Sequence, residues 1–192
     1  MSSEVQAAAG RERMVAWARP TEKSGRVAGI GVDEVAPCHA AGGFDVTYVK
    51  ADGARMRGIK APRADEPALP AERHHRCCPI VAATVIGRPL DETAAHRPER
   101  VAAVTGLSRR RADHGRRRWR SLLASPEGAL QGVPAAARVV PVINAVDDAA
   151  TRRARRPPRR RLALAASARF DRVVLTCHHK SRTDPLVAII ER

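Results

Sequence analysis

The sequence predicts an α/β domain built around a mainly parallel sheet. Short runs of β-branched residues alternate along the chain with segments of helical character, an arrangement typical of parallel strands joined by helices. The chain has 192 residues, which is long enough for one domain with its own core. Its hydrophobic content is 44% but its aromatic content is only 3%, so small aliphatic side chains must fill that core.

The domain organisation follows from where this pattern begins. Residues 1–25 are polar and lack a clear period, so we expect them to form a poorly ordered N-terminal segment. Residues 26–192 are then expected to form a single α/β domain. Two arginine-rich insertions, at 109–120 and 152–161, interrupt it.

The first half of the chain contains two predicted strands. The predicted elements are, in order, a helix over 29–43, a strand over 44–49, an extended loop over 54–78 and a strand over 79–86. The helix is closed by glycines, and we expect Pro37 to interrupt it. The first strand is β-branched and aromatic, and it places Asp52 at its C-terminal tip.

The second half contains two predicted helices and three predicted strands. The helices cover 97–106 and 119–125, and the strands cover 138–143, 172–176 and 186–190. The first of these helices has a proline and an acid, Pro98 and Glu99, in its first turn and Gly106 just past its end.

The net charge of +15 belongs mainly to the two insertions. Residues 109–120 hold seven arginines and one acid, and residues 152–161 hold seven arginines and no acid. Such runs are typical of phosphate contacts with nucleic acid or of a solvated charged surface. Because both are abrupt and free of lysine, a reading-frame slip in GC-rich coding DNA is a third interpretation. All three stay open.

Several classes of protein are excluded by what the sequence lacks. No apolar run is long enough to cross a bilayer, and the N-terminus lacks the order of a secretory signal. The four cysteines show no disulfide-like spacing, so we expect a cytoplasmic protein with reduced thiols. The His and Cys residues at 74–78 and 177–179 are adjacent rather than spaced, so no zinc site is expected.

Polar residues at two predicted strand tips suggest a nucleotide site, because ligands of parallel sheets lie at strand carboxyl ends. Asp52 could hold Mg²⁺ beside a phosphate, although an ordinary turn explains Asp and Gly there. Asn144 and Asp147 resemble the base-reading Asn-Lys-x-Asp element of GTPases, with Ala145 in the lysine position. An Asx turn explains this pattern equally well.

The chain contains no G-x-x-x-x-G-K-[ST] and no G-x-G-x-x-G motif. Without a backbone cradle and a lysine for the phosphates, hydrolysis of ATP or GTP by this chain alone is not expected.

A family resemblance is carried by residues 44–70, FDVTYVKADGARMRGIKAPRADEPALP. They resemble the YqeC pattern of a strand ending in Glu-Ala-Asp-Gly, then basic residues, Lys-Ala-Pro, Glu-Pro and a final Pro. The matching positions are Ala51, Asp52, Gly53, Arg55, Lys60, Ala61, Pro62, Glu66, Pro67 and Pro70. Further segments resemble later motifs of that family, in order, at 87–107, 125–148, 170–176 and 184–192.

The resemblance implies a P-loop-NTPase-like fold, N-terminally truncated because the first strand and phosphate-binding loop are missing. It implies an accessory role in maturing a selenium-dependent molybdenum hydroxylase, with that enzyme or its maturation factors as partner. It also implies ATP or GTP with Mg²⁺ as cofactor, and it is closest to family members of halophilic archaea. Two further departures, Lys50 in place of an acid and Ala145 in place of a lysine, argue against catalysis by this chain alone.

The matching motifs also suggest site residues. Arg55, Arg57 and Lys60 are expected to bind an anionic ligand or a partner. A second polar cluster with the same expected role is formed by His96, Arg97 and Glu99.

Three alternatives remain to the accessory role. The arginine segments could make the chain a nucleic-acid-binding module. A separate chain could supply the P-loop and complete a nucleotide hydrolase. The chain could also be the inactive product of a decayed gene.

Overall fold

The computed structural model describes residues 2–70, 76–106, 115–146, 167–178 and 183–192. The chain divides into two compact units. The first consists of Met1–Ala51 with Ala68–Glu72, and the second of Asp52–Pro67 with Arg73–Arg192. The expected division into residues 1–25 and 26–192 stays a prediction. The arginine run at 152–161 and residues 109–114 of the other run lie outside the described residues.

The first unit contains two helices, α1 (Ser2–Ala9) and α2 (Val35–Gly42), the second preceded by a 3₁₀ turn at Val32–Glu34. The helix predicted over 29–43 is thus confirmed, but Pro37 does not interrupt it. Proline is tolerated there because it lies in the first turn, where N–H groups have no intrahelical partner. Gly43 ends α2 in the left-handed conformation, with φ of 60°.

The strand predicted over residues 44–49 is wrong. The segment is irregular, and the side chains of Val46, Tyr48 and Val49 are exposed. Phe44 stacks on Trp17 with ring centroids 5.7 Å apart. Among the described residues no strand pairs with this segment, and a β-branched run needs such a partner to satisfy its backbone groups. Asp52 therefore does not lie at a strand tip.

The described residues of the second unit form two helices, α3 (Pro98–Thr105) and α4 (Gly115–Ala124). Its strands are β1 (Ile59–Lys60), β2 (Arg76–Cys77), β3 (Ile80–Ala82), β4 (Ala95–His96), β5 (Arg138–Val139), β6 (Val142–Asn144), β7 (Arg172–Thr176) and β8 (Leu186–Glu191). The predicted helices and the last two predicted strands are confirmed, α4 beginning earlier than expected. The strand predicted over 79–86 shortens to β3, followed by a 3₁₀ turn at Ala83–Val85.

The largest sheet of the described residues has the order β3-β6-β7-β8, with β3, β6 and β7 parallel and β8 antiparallel. Two smaller sheets, β1–β4 and β2–β5, are parallel. A mixed α/β fold with mainly parallel sheets is therefore confirmed. Its P-loop-like type stays a prediction.

Pro141 explains why the strand predicted over 138–143 divides into β5 and β6. Proline has no N–H to donate to a neighbouring strand. On either side of it the ladder continues, since the Val140 N–H donates to the Cys77 carbonyl at 2.9 Å and the Val142 N–H to the Pro79 carbonyl at 2.8 Å. The chain therefore passes from the partner β2 to the partner β3.

The core of the second unit is made largely of small aliphatic side chains, as the composition predicts. Its largest fully buried members include Phe170, Leu122, Leu123, Val101, Val139 and Val173. Among the described residues, no helix is both long and apolar enough to cross a membrane.

Candidate functional site

The candidate site is built where β1 and β4 end side by side. The two strands are parallel, with Ile59 opposite Ala95 and Lys60 opposite His96. Helix α3 begins at Pro98, two residues after β4. The site therefore lies at strand carboxyl ends beside a helix N-terminus, where ligands of α/β proteins commonly bind.

Gly58 holds β1 in place. Its N–H donates to the Ala94 carbonyl at 3.1 Å, and its carbonyl accepts from the Ala82 N–H at 2.9 Å. A Cβ at this position would lie 2.4 Å from Cγ1 of Val85. At that distance the two carbon atoms would clash unless the structure moved. The side chain of Val85 therefore leaves room only for glycine at this position.

Lys60 is the buried cation of the site. Its side chain is only 7% exposed, and its Nζ lies 2.7 Å from Oε2 of Glu66. The same ammonium forms an ion pair with Oδ1 of Asp52, which also accepts the Gly53 N–H at 2.6 Å. A buried ammonium needs such partners, and here two carboxylates supply them.

Glu66 is the hub of the cluster. Its Oε2 accepts hydrogen bonds from Nη1 of Arg97 at 2.8 Å and from the Arg63 N–H at 3.0 Å. Burial alone would raise the pKa of Glu66, but the hydrogen bonds from Arg97, Lys60 and the Arg63 amide hold that pKa well below its usual range. The carboxylate is therefore ionised throughout the neutral range.

Arg97 joins this cluster to α3 through a strained backbone. It is the N-cap of α3 with φ of 58° and ψ of 66°, and its side chain makes no capping hydrogen bond. A non-glycine residue in this left-handed region costs about 1–2 kcal/mol. Its hydrogen bond to Glu66 raises the pKa of Arg97. The side chain thus serves the ion pair rather than the helix end.

The loop that carries Glu66 is held from two other elements. Nε2 of Gln131 donates to the main-chain carbonyls of Arg63 and Glu66. Nε of Arg100, in α3, donates to the Pro62 carbonyl. The position of Glu66 is therefore fixed by its main chain as well as by its ion pairs.

A tight turn presents Arg55 beside the cluster. The Arg57 N–H donates to the Ala54 carbonyl at 2.9 Å, and Arg55 and Met56 between them have φ of 48° and 62°. Turns with two positive φ values normally use Asn and Gly. Nε of Arg57 donates to the Glu92 carbonyl at 2.5 Å, whereas the exposed side chain of Arg55 has no partner among the described residues.

The pKa of His96 is lowered by burial and by the positive charges around it. Burial and the charges of Arg97, Arg55 and Lys60 lower the pKa of its imidazole, against a smaller opposite effect of Glu66. The ring therefore takes up a proton less readily than a free imidazole does, and the charges named here make the surrounding potential positive.

Sequence reasoning found most of this cluster but not all of it. The structure brings together Asp52, Lys60, His96 and Arg97, with Arg55 and Arg57 in the adjoining turn. Glu66 was noted only as a motif position and Gln131 was missed. Glu99 is exposed in the first turn of α3 and has no partner among the described residues.

The predicted base-reading tip is only partly visible. Asn144 ends β6, and its Oδ1 accepts a hydrogen bond of 2.9 Å from Oγ1 of Thr176. Ala145 follows with φ of 57°. Asp147 lies outside the described residues. Whether this tip contacts a base stays a prediction.

The ammonium of Lys60 pairs with Asp52, the residue that the sequence analysis assigned to Mg²⁺. Binding of Mg²⁺ at Asp52 stays a prediction. The described part of the chain contains no group of three or more His, Cys, Asp or Glu side chains arranged for a metal. Either nucleotide of the expected Mg²⁺ complex, ATP or GTP, would therefore meet lysine and arginine side chains here.

Comparison with known families gives a match that covers the candidate site. The model of the YqeC protein family matches residues 1–99, which is more than half of the chain and includes every charged residue of the cluster around Glu66. Neither the curated proteins nor the solved structures give a match. The resemblance of the segments beyond residue 99, and the one to haloarchaeal members, stay predictions. The chain belongs to the YqeC family.

Proposed function

We propose that the chain is an accessory protein in the maturation of a selenium-dependent molybdenum hydroxylase, and that the cluster around Glu66 is its working site. One observation carries the proposal. Asp52, Lys60 and Glu66 of one segment meet Arg97 of a later one in a single, partly buried ion-pair network, and all four lie inside the family match.

The chemistry of this network supports binding rather than catalysis. A general base needs a pKa near the working pH, whereas the pKa of Glu66 is lowered. The carboxylates instead orient Lys60 and Arg97, since each cation has a hydrogen-bonded partner. The exposed Arg55 then faces solvent beside them. Such a surface suits an anionic group on the hydroxylase, on a maturation factor or on the material delivered.

Two alternatives stay predictions. A nucleotide hydrolase would need a phosphate-binding loop from another chain, because this sequence contains none. A nucleic-acid-binding module would depend on arginine runs of which the structure describes only residues 115–120.

The accessory role is tested by deleting the gene in a host that makes such a hydroxylase. We expect hydroxylase activity to fall, together with the selenium or molybdenum content of the purified enzyme. The wild-type gene should restore both, and Arg55→Gln should restore less. Arg26→Gln, an exposed arginine of the first unit, is the matched control and should restore both fully.

Equal cellular amounts of the variants are checked by immunoblot. Unchanged activity and unchanged metal and selenium content in the deletion strain would refute the accessory role. If Arg55→Gln instead restored hydroxylase activity and metal and selenium content fully, Arg55 would have no part in the accessory role.

A further inference from the structure

The turn at residues 54–57 has a backbone conformation that its two central residues disfavour. The Arg57 N–H donates to the Ala54 carbonyl at 2.9 Å, and between them Arg55 and Met56 have φ of 48° and 62°. Turns with positive φ at both central residues normally use Asn and Gly, which adopt this conformation at little cost. Here a long basic side chain and a long apolar one occupy these positions. The local sequence therefore does not favour the turn that the structure adopts.

The side chain of Arg57 braces this turn. Its Nη1 donates to the Arg55 carbonyl at 3.4 Å, and its Nε donates to the Glu92 carbonyl. The chain that enters the turn is also fixed, since the Gly53 N–H donates to Oδ1 of Asp52 at 2.6 Å. The surrounding contacts thus hold the strained residues in place.

Both central side chains of the turn are exposed to solvent. Met56 is 98% exposed, so the folding of this chain buries almost none of its apolar surface. The side chain of Arg55 is exposed as well, and no described residue forms an ion pair or a hydrogen bond with its guanidinium. The strained conformation therefore gives the chain neither packing nor an ion pair in return. Strained residues that their surroundings hold in place are typical of binding sites.

We propose that the Arg55–Met56 turn docks the chain onto a partner protein, with Met56 inserted in an apolar pocket and Arg55 paired with a carboxylate at the rim of that pocket. The inference rests on the proposed function for the identity of the partner, which is the selenium-dependent molybdenum hydroxylase. An unbranched thioether fills irregular apolar pockets, and an unpaired guanidinium binds a carboxylate through two parallel hydrogen bonds. Because the turn is braced before it binds, docking costs little conformational entropy.

The experiment measures binding of the full chain to that hydroxylase, purified from the deletion strain, by isothermal titration calorimetry. Met56→Ala and Arg55→Gln should each weaken binding at least about tenfold, as truncation of a central interface residue does. Met56→Leu keeps an apolar side chain of similar volume and should bind within about threefold of the wild type. The matched control is Met14→Ala, which truncates a methionine of the first unit that is 89% exposed and should bind as the wild type does.

A double variant, Arg55→Asn with Met56→Gly, separates docking from a structural role of the turn. Asn and Gly suit positive φ at both positions, so the variant should fold and its Tm should be at least that of the wild type. Its binding to the hydroxylase should nevertheless fall by at least about tenfold. A turn with a structural role alone would show the same Tm and unchanged binding.

Three results would overturn the docking surface: no binding of the hydroxylase by the wild-type chain, equal binding by the wild type and the Asn-Gly variant, or an equal loss in Met14→Ala. Analytical ultracentrifugation of the chain alone tests another occupant. A dimer that Met56→Ala dissociates would assign the turn to self-association and overturn its docking on the hydroxylase.

The accessory role is decided separately by the deletion experiment. A hydroxylase that loses activity in the deletion strain, together with equal binding by the wild type and the Asn-Gly variant, would refute the docking turn alone. Binding that depends on Met56, together with a normal hydroxylase in the deletion strain, would leave the docking turn standing and refute the accessory role alone.

Discussion

Nζ of Lys60 and Nη1 of Arg97 meet at a single oxygen, Oε2 of Glu66, at 2.7 and 2.8 Å. Lys60 ends β1 and Arg97 precedes α3, so one carboxylate joins a strand tip, a helix start and the loop on which Glu66 lies. The arrangement of the candidate site therefore depends on ion pairs that are largely removed from water.

Replacing Lys60 with methionine should destabilise the second unit strongly. The methionine side chain fills similar space but leaves Asp52 and Glu66 without their shared cation. Removing one partner of a buried ion pair costs about 3 kcal/mol. We expect urea denaturation to show a lower free energy of unfolding by this order.

The matched control is Lys50→Met, which changes an exposed lysine and should alter the free energy of unfolding by less than about 0.5 kcal/mol. Glu66→Gln should lower the free energy of unfolding less in the Lys60→Met variant than in the wild type. Without Lys60, the Glu66 charge only repels Asp52, and the glutamine removes that repulsion. Equal effects of the two lysine replacements would contradict the buried ion pair.

Glu66 should make stability depend on pH in acid. Its pKa in the folded protein lies below the ordinary value of 4.5, so the unfolded chain binds more protons between these values. The free energy of unfolding therefore rises with pH in this window, and the contribution is lost as pH falls through the folded pKa. Glu66→Gln should show a shallower slope below about pH 4.5.

Denaturation curves recorded at several acidic pH values measure this slope. Asp65→Asn is the control, because Asp65 is 66% exposed and pairs with Arg63 at the surface, where such pairs contribute little. It should keep the wild-type slope. A Glu66→Gln slope equal to that of the wild type would show that Glu66 is not held ionised by its partners.

The elements that the sequence predicted correctly are those determined locally. The helix over 97–106 has Pro98 and Gly106 as its boundary residues, and the structure places both there. The strand over 172–176 is a single apolar run and is β7. Residues 44–49 have similar local character, but the described residues provide no partner strand. Strand formation depends on that partner, which local sequence does not specify.

The site shows the same division. Asp52, Lys60 and Arg97 were predicted as site residues from family motifs, but the strand tip from which Asp52 was also predicted is not formed. Their mutual ion pairs were not predicted, since Lys60 and Glu66 carry no pattern that shows them facing one another. Gln131 contacts the Glu66 carbonyl from 65 residues away. Nothing in a single sequence indicates such a long-range side-chain contact.

Two substitutions of Arg97 separate the strain of its left-handed backbone from the stabilisation provided by its ion pair with Glu66. Arg97→Ala and Arg97→Gly both remove the guanidinium from Glu66. Glycine tolerates φ of 58° whereas alanine does not. We therefore expect Arg97→Gly to be more stable than Arg97→Ala by about 1 kcal/mol in urea denaturation.

Arg100 provides the control, because it lies inside α3. There the order should reverse, with the glycine variant less stable than the alanine variant by about 1 kcal/mol. An alanine variant more stable than the glycine variant at residue 97, as at residue 100, would contradict a left-handed Arg97.

The last prediction concerns Gly58, which sets the position of β1 and so of Lys60. A Cβ at residue 58 would lie 2.4 Å from Cγ1 of Val85 and 3.1 Å from Cβ of Ala82. Gly58→Ala should therefore destabilise the fold by about 1–3 kcal/mol. Gly29→Ala is the control, since nothing lies within 4 Å of a Cβ built there, and it should change stability little.

Shortening Val85 tests the cause directly. Val85→Ala alone leaves a small cavity and costs about 2 kcal/mol. In the double variant the new methyl group of residue 58 occupies that space. The loss of unfolding free energy in the double variant should therefore be smaller than the sum of the two single losses by about 1 kcal/mol or more. Strict additivity would mean that Val85 does not limit residue 58. The requirement for glycine would then have to come from Cβ of Ala82, 3.1 Å from the added methyl group.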